Sequence, residues 1–221
     1  MTLTRRTFNA ALATTAVAAA AGLSPVAFLR SAFAEDVASP ADLKTPSPLG
    51  DMMLGSPSAS VTVIEYASMT CPHCAHFHET VYPKLKADYI DTGKIKFIFR
   101  EFPLDIKAAA GSMLARCIGK DDPQKYFAVV DTLFRTQESW VGADTVNALK
   151  RVGKQAGFSD QSVDACLADQ KVLDGIKQTQ DNAYEKLKVN STPTFFVNNT
   201  VLKGGADIEE FKKVIDPLLK S

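Results

Sequence analysis

The strand-forming residues of this chain fall into two blocks, residues 61–102 and 194–203, with residues 104–188 of helical periodicity between them. A sheet drawing on both blocks has to close around an all-helical insertion, which constrains the topology before any motif is considered. In the first block Val61-Thr62-Val63-Ile64-Glu65-Tyr66 is β-branched and apolar almost throughout, the pattern of a strand covered on both faces. Phe77, Val81, Leu85 and Tyr89 then recur at steps of four along a helix ending near Gly93, and Pro83 predicts a kink in it. Ile95 to Phe102 reads as a second buried strand, and a crossover of this length implies a parallel pair. The second block reads as a hairpin, Thr194–Val197 and Val201–Lys203 about Asn198-Asn199, followed by a helix capped by Asp207 with Ile208, Phe211, Val214, Ile215, Leu218 and Leu219 on one face. The order is β-α-β, helical insertion, β-β-α.

Within the insertion, Ile106, Ala109, Ala110, Met113, Leu114, Cys117 and Ile118 predict one apolar helix face. A second helix is capped by Asp122-Pro123, and Val146, Leu149 and Val152 mark a third. Val163, Cys166 and Leu167 mark a short fourth, and Val172, Ile176, Ala183 and Leu187 a long fifth. Residues 35–60 are rich in Pro, Ser, Ala and Gly and read as a surface-hugging extension. The expected segments are therefore 1–34, 35–60, 61–103, 104–188 and 189–221, with 61–103 and 189–221 forming one domain. A chain of 221 residues with 46% hydrophobic composition can hold one sizeable core with such an elaboration.

Residues 1–34 read as an export signal: Arg5-Arg6, an apolar run from Ala10 to Leu23, and Ala32-Phe33-Ala34 as a small-x-small cleavage site. Thr4-Arg5-Arg6-Thr7-Phe8 resembles a twin-arginine signal, although an ordinary secretory signal also accommodates two arginines. Its removal takes three of 25 basic residues and no acidic one, leaving a net charge of −3 and no basic stripe suited to nucleic acid. The expected location is the periplasm.

Four cysteines in an exported chain divide by spacing into Cys71/Cys74 and Cys117/Cys166. Cys71-Pro72-His73-Cys74 follows a strand and opens a helix, so Cys71 would meet the free N–H groups and positive end of the helix and act as nucleophile. His73 is placed to lower its pKa further, and Cys74, one turn on, would be the resolving thiol. Glu65 is a carboxylate in an apolar strand, read either as a proton acceptor near Cys74 or as a solvent-facing residue. In Ser191-Thr192-Pro193-Thr194, Pro193 at a strand start is either a cis-proline beside the dithiol or an ordinary trans turn. Cys117 and Cys166 both fall on apolar helix faces, where they would form a structural disulfide or remain two buried thiols.

The run Glu65-Tyr66-Ala67-Ser68-Met69-Thr70-Cys71-Pro72-His73-Cys74, with Pro193 in Ser-Thr-Pro-Thr-Phe-Phe-Val and the helical insertion between, resembles the DsbA-type thiol:disulfide oxidoreductases. The resemblance implies an α/β thioredoxin fold with an inserted helical domain and a redox disulfide Cys71/Cys74 tuned by His73. It also implies proton transfer assisted by Glu65, a cis-Pro loop at Thr192-Pro193, and no cofactor beyond the disulfide. Expected partners are newly exported proteins with free cysteines and a quinone-linked membrane oxidase of the DsbB type. Thr192 departs from the valine of the best-known oxidases and resembles the isomerase branch.

An isomerase or reductase is therefore a second reading, with a monomer expected because no dimerisation segment is evident. A third is a metal-binding or holdase protein using His73, His76 and His78, though 76 and 78 lie on different sides of a helix and are expected at the surface. Arg100-Glu101 reads as a solvated pair and Trp140 as packing within the insertion.

Overall fold

In a computed structural model, residues 40–220 are described; the signal in residues 1–34 lies outside them. In chain order the elements are α1 (Pro40–Lys44), β1 (Met52–Gly55), β2 (Val61–Ala67), α2 (Pro72–Thr80), α3 (Tyr82–Leu85) and, after a π-helical turn at Lys86–Ile90, β3 (Ile95–Glu101). The insertion holds α4 (Ile106–Gly119), α5 (Pro123–Arg135), α6 (Gln137–Trp140), α7 (Thr145–Gln155), α8 (Asp160–Leu167) and α9 (Gln170–Leu187). The chain closes with β4 (Thr194–Val197), β5 (Thr200–Lys203) and α10 (Ile208–Leu219).

The five strands lie in the order β1-β3-β2-β4-β5, with β2 and β3 parallel and the other pairs antiparallel. The β-α-β and β-β-α halves of a thioredoxin fold are thus joined through β2 and β4, with the helical insertion between them. The extension supplies β1, a fifth strand at the edge beyond β3. It ends at Gly55, whose φ of +88° is open to glycine and where a Cβ would sit 2.2 Å from the Ile95 carbonyl oxygen. Both edge strands are only four residues long, and three of the four β5 residues are exposed.

Alternation along β2 sorts its side chains onto two cores. Val61, Val63 and Ala67, with Phe97, Phe99 and Phe195 of the neighbouring strands, face α2, α5 and α10. Ile64 and Tyr66, with Ile98 and Phe196, face Leu43 of α1 and Ala183 and Leu187 of α9. The strand is covered on both sides, as its unbroken apolar run predicts.

The helical run predicted to kink at Pro83 is divided at Val81, which keeps right-handed helical dihedrals of φ −104° and ψ −47° and donates to the Phe77 carbonyl. Proline offers no N–H to the carbonyl of Glu79, α2 stops at Thr80, and the chain restarts in α3 with Pro83 in its first turn. Ile106 and Val146, expected on apolar faces, are 73% and 51% exposed. Each stands in the first turn of its helix, beyond the packed stretch. Trp140 is buried and donates from Nε1 to the Leu133 carbonyl at 2.7 Å, packing within the insertion. Cys117 and Cys166 form a disulfide between α4 and α8.

Arg100 and Glu101 are not solvated; the correction follows from where β3 ends. Arg100 is buried, holds Asp51 with Nε and Nη2 at 2.9 and 2.8 Å, and donates to the Tyr66 hydroxyl and to the carbonyls of Leu43 and Thr45. Glu101 is also buried, paired with Arg116 of α4 through Nη2 at 2.9 Å and accepting from the Tyr126 hydroxyl of α5 at 2.6 Å. These two charges pin the extension and the insertion to the last turn of the same strand.

Removing one partner of a buried pair leaves an uncompensated charge, so Arg116→Met is expected to lower stability by about 3–5 kcal/mol. Urea unfolding measures it, and Arg116→Met/Glu101→Met should recover part of the loss. A single-variant loss below about 1 kcal/mol would show that Glu101 finds another partner or water.

Candidate active site

β2 delivers the turn Ser68-Met69-Thr70 to the start of α2. Cys71 is the residue before the helix, in extended conformation at φ −77° and ψ 121°, with Pro72 in the first turn where its missing N–H costs no helical bond. The Cys71 N–H donates to the Ser68 carbonyl at 3.1 Å, closing the turn. The insertion grips the same turn twice. Thr70 donates to Asp105, the cap of α4, at 2.7 Å, and the Leu104 N–H donates to the Ser68 hydroxyl at 3.2 Å. From α6, the Gln137 amide donates to the carbonyls of Met69 and Cys71 at 2.9 and 3.1 Å.

The Thr192–Pro193 peptide is cis, resolving the two readings of that position. Pairing of β4 with β2, Thr194 opposite Tyr66 and Phe195 opposite Glu65, brings the loop to the dithiol. The Cys71 thiol donates to the Thr192 carbonyl at 3.3 Å across 121 residues of sequence.

Cys71 and Cys74 are both buried and reduced, and their ionisation is pushed in opposite directions. Cys71 is lowered from 9.0 to about 5, chiefly by a hydrogen bond from the Cys74 thiol, against the opposing effect of burial. The backbone N–H groups of Cys74 and His73 lower it further. Cys74 is raised well above 9.0, first by burial, then by its bond to Cys71 and the nearby charge of Glu65. One sulfur is a thiolate at neutral pH, 6% exposed, and the other, fully buried, holds its proton. His73 contributes through its backbone, while its imidazole stands exposed.

Glu65 is fully buried, which excludes the solvent-facing reading. Its Oε2 is 2.9 Å from His78 Nε2. His78 was expected at the surface, and the correction is readable in the spacing: Cys74, Phe77, His78, Val81 and Leu85 form the inward stripe of the helical run, and His76 faces out. The ring stacks on Phe134 at 4.3 Å and meets Tyr82 at 4.7 Å. Among the described residues three buried side-chain atoms lack a protein partner, Glu65 Oε1, His78 Nδ1 and Thr192 Oγ1, and all belong to the surroundings of the dithiol. No group of three or more His, Cys, Asp or Glu side chains among the described residues is arranged to hold a metal ion. Gln137 and His78 are the site residues that sequence reasoning missed; for Gln137 no local signal exists, since its contact spans 66 residues.

A depressed Cys71 predicts alkylation of the reduced protein with a pH midpoint near 5, read by mass spectrometry or thiolate absorbance. Because folded-state ionisation lies at about 5 against 9.0, the thiolate stabilises the reduced form fully above pH 9, and that contribution is lost as the pH falls through 5. A midpoint above pH 8 would contradict the site geometry.

A family model described as thioredoxin matches residues 47–217. A Rickettsia bellii protein assigned as a protein-disulfide oxidoreductase is 36% identical over 149 residues, covering 67% of this chain and 57% of that protein. Disulfide bond formation protein D of Bacillus subtilis is 29% identical over 180 residues, 79% of this chain and 80% of its own. The crystal structure of Wolbachia pipientis alpha-DsbA1 superposes with a TM-score of 0.74 at 33% identity, covering 81% of this chain and 95% of that one. The chain spans 57–62% of the length of the rickettsial relatives.

Proposed function

The chain belongs to the DsbA-like branch of the thioredoxin family, and we propose that it donates its Cys71–Cys74 disulfide to newly exported proteins. The observation that carries this reading is the opposed ionisation of the two thiols. A stabilised Cys71 thiolate favours the reduced pair and so makes the disulfide an oxidant. A client thiolate attacks Cys71 Sγ, the Cys71–Cys74 bond breaks as the client–Cys71 bond forms, and Cys74 leaves and takes a proton through Glu65. A second client thiolate attacks the client sulfur of the mixed disulfide. The client gains a disulfide, and Cys71 departs as a thiolate. Two electrons have passed to the protein, and a quinone-linked membrane partner of the DsbB type would remove them.

The periplasmic location is supported by the Arg5-Arg6 segment of the sequence and by the Cys117–Cys166 disulfide, which needs an oxidising compartment. Among the described residues no helix is long and apolar enough to cross a membrane.

An isomerase or reductase is favoured by one observation only, the buried Thr192 hydroxyl beside Cys71. Equilibration with glutathione buffers separates the readings. An oxidase should give a potential nearer to about −120 mV than to the roughly −270 mV of thioredoxin. Cys71→Ser should abolish oxidation of a dithiol peptide, and the lone Cys71 thiolate of Cys74→Ser should attack a disulfide-bonded peptide and hold one of its sulfurs as a mixed disulfide while the other leaves as a thiolate. A thioredoxin-like potential would sink the oxidase reading, and trapping on Cys74 would reverse the assigned roles.

A further inference from the structure

The resolving thiol Cys74 is completely buried, yet each turn of the proposed cycle must deliver one proton to it and later take that proton away. Glu65 is equally buried, so it accepts and supplies protons but does not exchange them with water by itself. Its carboxylate is bonded to His78 at 2.9 Å, and His78 Nδ1, the ring's other nitrogen, has no protein partner. His78 also lines a surface hollow of about 400 Å³, together with Glu79, Tyr82, Lys86, Asp131 and Arg135. His78 therefore stands between the buried carboxylate and the lining of an open hollow, with its own side chain 1% exposed.

The ring itself packs against aromatic side chains, while the hollow beside it carries charges of both signs. β2 contributes Glu65, β3 the Phe99 ring, and α3 the Tyr82 phenol, which burial and nearby carboxylates push up and keep protonated. From α5 comes the stacked Phe134, with Asp131 and Arg135 in the hollow, and from the π-helical turn Lys86. α2 itself carries Cys74 on the inward stripe and Glu79 at the hollow.

We propose that His78 is a positioning residue that relays the Cys74 proton between Glu65 and water in this hollow. The inference rests on the thiol–disulfide reading above. When the Cys71–Cys74 bond breaks, the Glu65 carboxylate takes the proton of His78 Nε2–H and hands it to Cys74, and Nδ1 takes one from water. The ring ends neutral in its other tautomer. Reoxidation runs the same transfers outward and restores the first tautomer, so the two halves of the cycle balance.

His78→Gln keeps a hydrogen-bonding amide beside Glu65 without a titratable ring, and His78→Ala opens room for added imidazole. The measurement is closure of the Cys71–Cys74 disulfide by oxidised glutathione, in single turnovers quenched with a thiol label between pH 5 and 8. Closure is expected to slow roughly tenfold in both variants. Imidazole should restore His78→Ala but not His78→Gln, and Cys71 alkylation should stay as in the wild type. Wild-type closure rates in His78→Gln, or a slow His78→Ala that imidazole leaves slow, would overturn the relay. Should His78→Ala unfold, His78→Phe takes its place in the rate comparison, and wild-type closure there overturns the relay equally. A wild-type protein unable to exchange with a cysteine peptide would overturn the oxidoreductase reading itself, which the same experiment reveals before any variant is compared.

Discussion

The chemistry depends on the antiparallel pairing of β2 with β4. These strands come from opposite ends of the described chain, and their register puts Phe195 opposite Glu65 and Thr194 opposite Tyr66. A slip of one residue would turn Glu65 to the other face of the sheet and carry the Thr192 carbonyl away from Cys71. Register is specified by burial on both faces. Phe195 packs on Phe77 and Phe211 in the core under α2 and α10, and Phe196 on Tyr66 in the core under α9, so a slip would break both sets of ring contacts at once. The long loop between these strands is closed by packing rather than by a linker, and the entropy of closing it is offset by the insertion's own core.

That insertion does more than fill the gap. Besides packing Phe127 and Phe134 on the sheet, it makes polar, directional contacts with β3 and the Cys71 turn: Arg116 and Tyr126 hold Glu101, Asp105 holds Thr70, and Gln137 holds the carbonyls of Met69 and Cys71. Apolar packing would tolerate small slides of the helices, whereas hydrogen bonds of this kind fix direction. The Cys71 turn is thus held by elements on both sides of the chain's topological break, and its sulfur meets the helix N–H groups in a fixed geometry.

Much of this is legible in the sequence because it is encoded locally. The strand of β-branched residues, the cap at Asp122-Pro123, the Asn198-Asn199 hairpin and the helix-opening Cys71-Pro72 each carry their own short-range physics. The illegible parts are those decided by what lies across the fold. Arg100 and Glu101 have the look of surface charges until Asp51 and Arg116 arrive from elsewhere. β1 comes from a stretch whose composition suggests a coil, and forms because β3 offers it a free edge. His78 is an intermediate case: its inward position follows from the spacing with Cys74 and Leu85, and only the polarity of the ring argues against it.

The shortness of the two edge strands acquires meaning if the protein acts, as proposed, on unfolded chains. An extended polypeptide passing by could add itself to a long free edge and seed a growing aggregate. Here β1 stops at a glycine that turns away under the Ile95 carbonyl, and β5 offers four residues ending in Lys203. The sheet is a poor template on either flank, so neither edge competes with the reactive sulfur for such chains.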